Sequence, residues 1–180
     1  LAAMPWLRFR STDSSAFSTY VEGGTARKAV SIVSNLWHLE GADVVALCDG
    51  NVVKNLTVAN GSVTLPRKFS RVHIGLRYIS DVELLNIENV GGPTIQGLYK
   101  KIPEITVRFE KSRGLLVGPT SDDLVEMKQR EFEDLGDPTQ LLTGDKTITL
   151  NSTWGTDGRT FLRQKDPLPM TILGVIPRYA

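Results

Sequence analysis

At 180 residues, with 41% hydrophobic and 23% charged side chains, the sequence can bury one core or two small ones and has the make-up of an ordinary globular protein. A net charge of +1 gives no global pull toward nucleic acid or a membrane surface. A single cysteine excludes an internal disulfide and a multi-cysteine metal site, and no apolar run approaches the roughly 18 residues that would span a bilayer.

Residues 1–30 read as an irregular or extended arm. "RFRSTDSSAFSTYVEGG" is rich in Ser and Thr, carries the pair Gly23-Gly24 and has no helical period. "LAAMPWLRFR" places charges where the apolar centre of a secretory leader would sit. From residue 31 the text becomes a series of short strands. "ADVVALCD" ends at Asp49-Gly50, and "NVVKNLTVA" ends at Asn60-Gly61. Both dipeptides are strong hairpin signals, because a type I′ turn needs positive φ at its two central residues. "SVTLP" and "RVHIGLRYI" follow. Four strands with tight turns predict an antiparallel meander that closes into a small barrel over residues 31–80.

Residues 81–180 read as a second β-rich, sandwich-like domain. In "GLYKKIPEITVRFEKS", Ile105, Val107 and Phe109 alternate with Thr106, Arg108 and Glu110, the pattern of a half-buried strand. Ser112-Arg113-Gly114 predicts a turn from which "LLVG" returns. "SDDLVEMKQREFEDLGDP" suits a helix capped by Ser121 or a strand followed by a loop. The alternation over 125–130 favours the second. "DKTITLN" and "RTFLRQ" flank Trp154-Gly155-Thr156-Asp157-Gly158 and predict a hairpin, and "LPMTILGVI" predicts a final, mostly buried strand. The whole is expected to be all-β.

The densest concentration of reactive side chains is "SNLWHLEGADVVALCDG", residues 34–50, with His38, Glu40, Asp43, Cys48 and Asp49. At strand spacing Cys48 shares a face with Val44 and Ala46, the setting of an inert core thiol. A reactive thiolate wants a cationic neighbour, and none lies on that face. His38, Glu40 and Asp43 lack a recognised zinc-ligand spacing, and the other histidine, His73, stands alone in "RVHIG". The signatures G-x-S-x-G, G-x-x-x-x-G-K-[ST] and G-x-G-x-x-G are all absent. Lys100, Lys101, Arg108 and Lys111 offer phosphate contacts, but interleaved Glu104 and Glu110 make a solvated face the simpler expectation. No catalytic residue, cofactor or metal ligand is therefore assigned. Trp154, at the expected hairpin tip, and Tyr99 are the candidate ligand platform.

Several phrases, taken in order, resemble a known family. "NLWHLEGADVVALCDGNVV" is similar to a motif GL-x-HLEG-x-x-V-x-x-L-x-DG. "VTLPRKFSRVHIGLRYISDVELLNIE" is similar to ITL…S-x-V-x-VGLPY, with Arg77 in place of the proline. "TIQGLYKKIPEITVRFEKSRGLLVG" and "LLTGDKTITLNSTWGTDGRTFLRQKDPLPMTILGVIP" follow. Together, over residues 31–177, they resemble the C-terminal region of the tail nozzle or tail tubular proteins of short-tailed bacteriophages. The small barrel of that family is likened in fold, not in activity, to the first half-domain of ubiquitin-activating enzymes.

The resemblance implies a structural virion protein located in the tail and no enzyme. Its partners would be copies of itself in a ring, a hexamer, together with adaptor or fibre proteins. Genomic DNA would pass through during ejection, and the chain would not insert into a membrane. Residues 1–30 would continue a longer upstream region. Residues 1–80 carry nine Lys and Arg against five Asp and Glu, a balance of +4, whereas 81–180 carry twelve against fifteen, −3. A DNA conduit should avoid phosphate-binding charge. Asp122, Asp123, Glu131, Glu133 and Asp134 are therefore expected to face the channel. The competing expectation is a receptor- or carbohydrate-binding β module of a tail tip, centred on Trp154 and Tyr99.

Overall fold

The computed structural model describes residues 7–8, 19–22, 25–89, 92–134 and 136–180. They form strands, loops and one 3-10 turn, an all-β protein as the alternation and turn signals predict. The chain divides into two units. One spans Leu1–Tyr78 and takes in Glu133–Thr139; the other comprises Ile79–Phe132 and Gln140–Ala180. The first junction lies between Tyr78 and Ile79. The seven residues Glu133–Thr139 group with the first unit, although in sequence they interrupt the second.

The first unit holds β1 (Leu7–Arg8), β2 (Thr19–Glu22), β3 (Thr25–Lys28), β4 (Val30–Val33), the 3-10 turn Trp37–Leu39, β5 (Asp43–Cys48), β6 (Asn51–Thr57), β7 (Val63–Phe69) and β8 (Val72–Leu76). The arm read as irregular or extended contains paired backbone at its described positions. β2 and β3 form a hairpin, and β1 adds to β8 with Leu7 opposite Ile74. The glycine pair between β2 and β3 lies outside the described residues.

The strand order is β1-β8-β5-β6, with β4-β7 as a second pair. This differs from a meander of sequence neighbours: β7 pairs with β4, and β8 returns to the far side of β5. A twisted pair of small sheets can close on itself only if strands cross between them, and the corners at Asn60-Gly61 and Ser70-Arg71 provide the crossings. Both sheets feed one core of Val33, Leu36, Val44, Ala46, Cys48, Leu56, Val58, Val63, Leu65, Phe69, Val72 and Ile74. The β5 residues Val44, Ala46 and Cys48 are inward, at period two. Asn55, at φ 58°, bulges β6 where the register against β5 shifts.

The second unit holds β9 (Ser80–Glu83), β10 (Glu104–Ser112), β11 (Leu115–Gly118), β12 (Val125–Glu126), β13 (Leu142–Thr149), β14 (Phe161–Gln164) and β15 (Ile172–Arg178). It is a sandwich of a three-stranded sheet, β13-β10-β15, and a four-stranded sheet, β12-β11-β14-β9. Ile105, Val107 and Phe109 of β10 are each at most 1% exposed and meet Leu115, Val117, Met127, Ile148 and Leu162 in one core.

Three local expectations change here. Ser112-Arg113-Gly114 does not turn β11 back onto β10; it carries the chain from one sheet to the other. The crossing is locked by Gln129, whose side-chain nitrogen donates to the Ser112 carbonyl at 2.8 Å and whose oxygen accepts the Gly114 N–H at 3.3 Å. β13 and β14 are likewise not a hairpin, because β13 pairs with β10 and β14 with β11 and β9. Finally, β15 is half-buried and stands at the edge of its sheet, with Leu173 and Ile176 exposed. Among its described residues the segment 121–137 contributes the two-residue β12 and loop.

Candidate functional site

The polar cluster of residues 34–50 resolves into supports for two turns. Asn60 and Gly61 have φ of 53° and 64°, and the flanking Ala59 and Ser62 exchange backbone hydrogen bonds of 2.9 and 3.1 Å. The two N–H groups at the turn's centre point at the Glu40 carboxylate, which accepts from Asn60 at 2.8 Å and from Gly61 at 2.7 Å. The Gly61 carbonyl accepts the N–H of the fully buried Leu36 at 2.8 Å. The Trp37 ring lies on Gly61 so closely that a Cβ there would sit 2.5 Å from ring atoms. Gly41, at φ 74°, turns the chain into β5 and donates to the Val58 carbonyl at 3.0 Å. In "HLEG", then, Leu39 packs on the core, Glu40 grips the turn and Gly41 makes the bend.

Asp49 performs the same task at the other end of β5. Its carboxylate accepts the Ser70 N–H at 3.0 Å and the Arg71 N–H at 2.6 Å, while its own N–H donates to the Arg71 carbonyl at 2.9 Å. A charged acceptor on two turn N–H groups is a strong device for fixing a corner. Asp43 accepts the Thr57 hydroxyl at 2.9 Å across the β5–β6 ladder.

The thiol and the imidazoles do not converge. Cys48 is completely buried, and burial, reinforced by the Asp49 charge, pushes its thiol up to about 12. His73 pairs with Leu47, one residue away, so it lies on the opposite face of the sheet from Cys48. His38 is exposed on the 3-10 turn. Among the described residues no three His, Cys, Asp or Glu side chains are grouped to hold a metal ion.

The five acids expected to share a surface are divided between the units. Asp122, Asp123 and Glu131 belong to the second unit, and Glu133 and Asp134 to the first. All are exposed except the half-buried Glu133. Glu131 pairs with Lys146 at 3.3 Å.

The expectation of a solvated basic face fails at Lys100 and holds at Arg108, which is exposed and paired. Arg108 is bidentate to Asp145 at 2.7 and 2.9 Å across β10–β13. Lys100 is only 3% exposed, its ammonium donating to the Ile95 carbonyl at 3.0 Å and its stem packed on Gly158, where a Cβ would lie 2.7 Å from the Lys100 Cε. The signal for this was available in part. Lys100 shares its parity with the apolar Ile102, which is also buried, although β10 itself buries the odd positions 105, 107 and 109.

Tyr99 and Trp154, chosen separately from the sequence, lie on adjacent segments. Lys100 and Gly155 exchange backbone hydrogen bonds of 2.8 and 3.0 Å as an antiparallel bridge. By the register of that bridge Lys101 is opposite Trp154 and Tyr99 opposite Thr156. Tyr99 is 76% and Trp154 59% exposed. Trp154 is therefore not on a hairpin tip but in a segment bridged to Lys100, ahead of β10.

No protein-family model matches the chain, and no curated protein sequence matches it significantly. No helix among the described residues is long and apolar enough to cross a membrane.

Proposed function

We propose that the chain is a structural virion subunit of a phage tail, a nozzle or tubular component that assembles with copies of itself into a ring around the path of the genome. The hexameric count, the adaptor or fibre neighbours and the tail location come with the family resemblance. The observation that carries the assembly reading is the edge strand β15. It is seven residues long, it bounds its sheet and it exposes Leu173 and Ile176; a register shift falls at Leu173, and Pro177 and its one charged residue, Arg178, stand at the end. Long apolar edges are blunted in proteins that remain alone and are paired in proteins that assemble. The use of Glu40 and Asp49 as turn supports agrees with this reading, since the stretch richest in candidate reactive side chains builds scaffold.

Light scattering and negative-stain electron microscopy of the chain test the proposal. A closed ring is expected, and Ile176→Lys, which charges the edge without touching the core, should shift it toward monomer. A wild-type chain that stays monomeric at high concentration overturns the reading.

A further inference from the structure

The geometry points to a carbohydrate-binding platform on the second unit, built from Tyr99 and Trp154 and suited to the pyranose rings of a neutral polysaccharide. The inference does not depend on ring assembly. It starts from the bridge between Lys100 and Gly155. Tyr99 and Trp154 occupy diagonal positions on neighbouring segments, about 7–8 Å apart in backbone terms. That separation lets two flat rings address one sugar or two successive sugars.

The backing is firm on both sides. Beneath Tyr99, Lys100 is buried, with its stem on Gly158 and its ammonium on the Ile95 carbonyl. Two residues before Trp154, Ser152 is buried and its hydroxyl donates to the Ile102 carbonyl, while the Leu150 N–H donates to the Pro103 carbonyl at 2.8 Å. On the other flank, Lys101 exchanges backbone bonds of 2.9 and 3.0 Å with Ala180. Rings carried on backbone so anchored need little ordering to receive a ligand.

The surroundings choose the ligand. A patch meant for another protein's core would be ringed by apolar side chains. Here the exposed sequence neighbours other than Leu98 are polar, Thr153, Thr156 and Asp157, with Lys101 half-buried opposite Trp154. They supply an ammonium that only donates, a carboxylate that only accepts and hydroxyls that do both. Sugar hydroxyls require that mixture, and the C–H face of a pyranose requires the rings. One positive and one negative side chain beside the platform favour a neutral glycan over an anionic one.

The test is a printed array of neutral and sialylated oligosaccharides probed with the full chain, followed by titration of the strongest neutral hexasaccharide while tryptophan emission is recorded. Binding to a neutral glycan is expected, with at least a tenfold loss of affinity in Tyr99→Ala and in Trp154→Ala and no loss in Trp37→Ala on the first unit. Asp157→Asn, which preserves shape, should weaken binding and leave thermal unfolding unchanged. The inference is overturned by the absence of any neutral-glycan signal, by a preference for sialylated glycans, or by affinity indifferent to Tyr99 and Trp154. It is also overturned if those two substitutions alter only the oligomeric state.

Discussion

The Glu40 carboxylate and the Gly61 N–H meet at 2.7 Å, and the same carboxylate takes the neighbouring Asn60 N–H at 2.8 Å. One side chain thus holds both central donors of a type I′ turn. Glu40→Ala should destabilise the first unit by about 1–3 kcal/mol, the range for charge-assisted hydrogen bonds at a partly exposed site. Glu40→Gln keeps one acceptor and should lose less. Urea unfolding followed by circular dichroism measures both, and equal losses would show that the one remaining acceptor contributes nothing.

Gly61→Ala should be more costly than an ordinary turn substitution. The residue sits at φ 64°, and its Cβ would strike the Trp37 ring at 2.5 Å. Trp37 is exposed, so its ring can swing away. The expected signature is a changed tryptophan emission with a loss of about 1–2 kcal/mol. In a Trp37→Ala background the steric part should vanish and the backbone part remain.

Cys48 should resist thiol reagents in the folded protein near neutral pH and react fully in denaturant, because burial suppresses its thiolate. Labelling with Ellman's reagent, with and without guanidinium, decides this. Cys48→Ser places a hydroxyl in the apolar core and should cost about 1–3 kcal/mol.

Phe109→Ala should destabilise the second unit by about 3–5 kcal/mol, since a 1%-exposed ring at the centre of the three-stranded sheet leaves a cavity. The first unit should unfold unchanged by it. Two transitions in calorimetry, one shifted and one not, are the expected record.

Three carboxyls set an acid limit for the second unit. Hydrogen bonds from Arg163 hold Asp81 below the usual range, and those from Arg108 do the same for Asp145. Glu88 is lowered by the N–H groups of Asn89 and Ile95 and by the Thr94 hydroxyl. A depressed folded pKa contributes stability that is complete above the unfolded value, about 4, and is lost as pH falls through the folded one. The melting temperature should therefore be flat near neutrality and drop below about pH 4. Asp81→Asn and Asp145→Asn should each shallow that drop, and an unchanged acid profile in both would count against these pairs.

Sequence alone determined what depends on neighbours along the chain. Period two over Ile105–Phe109 set the buried face of β10, and period two over Val44–Cys48 made the cysteine a core residue. Asp49-Gly50 and Asn60-Gly61 announced their turns, because the positive φ they require is a local steric matter. Tertiary structure decided what depends on partners far along the chain. Strand pairing gave β7 to β4 and β14 to β11, which no run of turn residues encodes. It also decided what the polar groups do. A carboxylate at 40 or 49 is a candidate ligand in a string of letters. Folding brought turn N–H groups about twenty residues away within hydrogen-bond reach of each, and the bridge at Lys100 set Tyr99 beside Trp154.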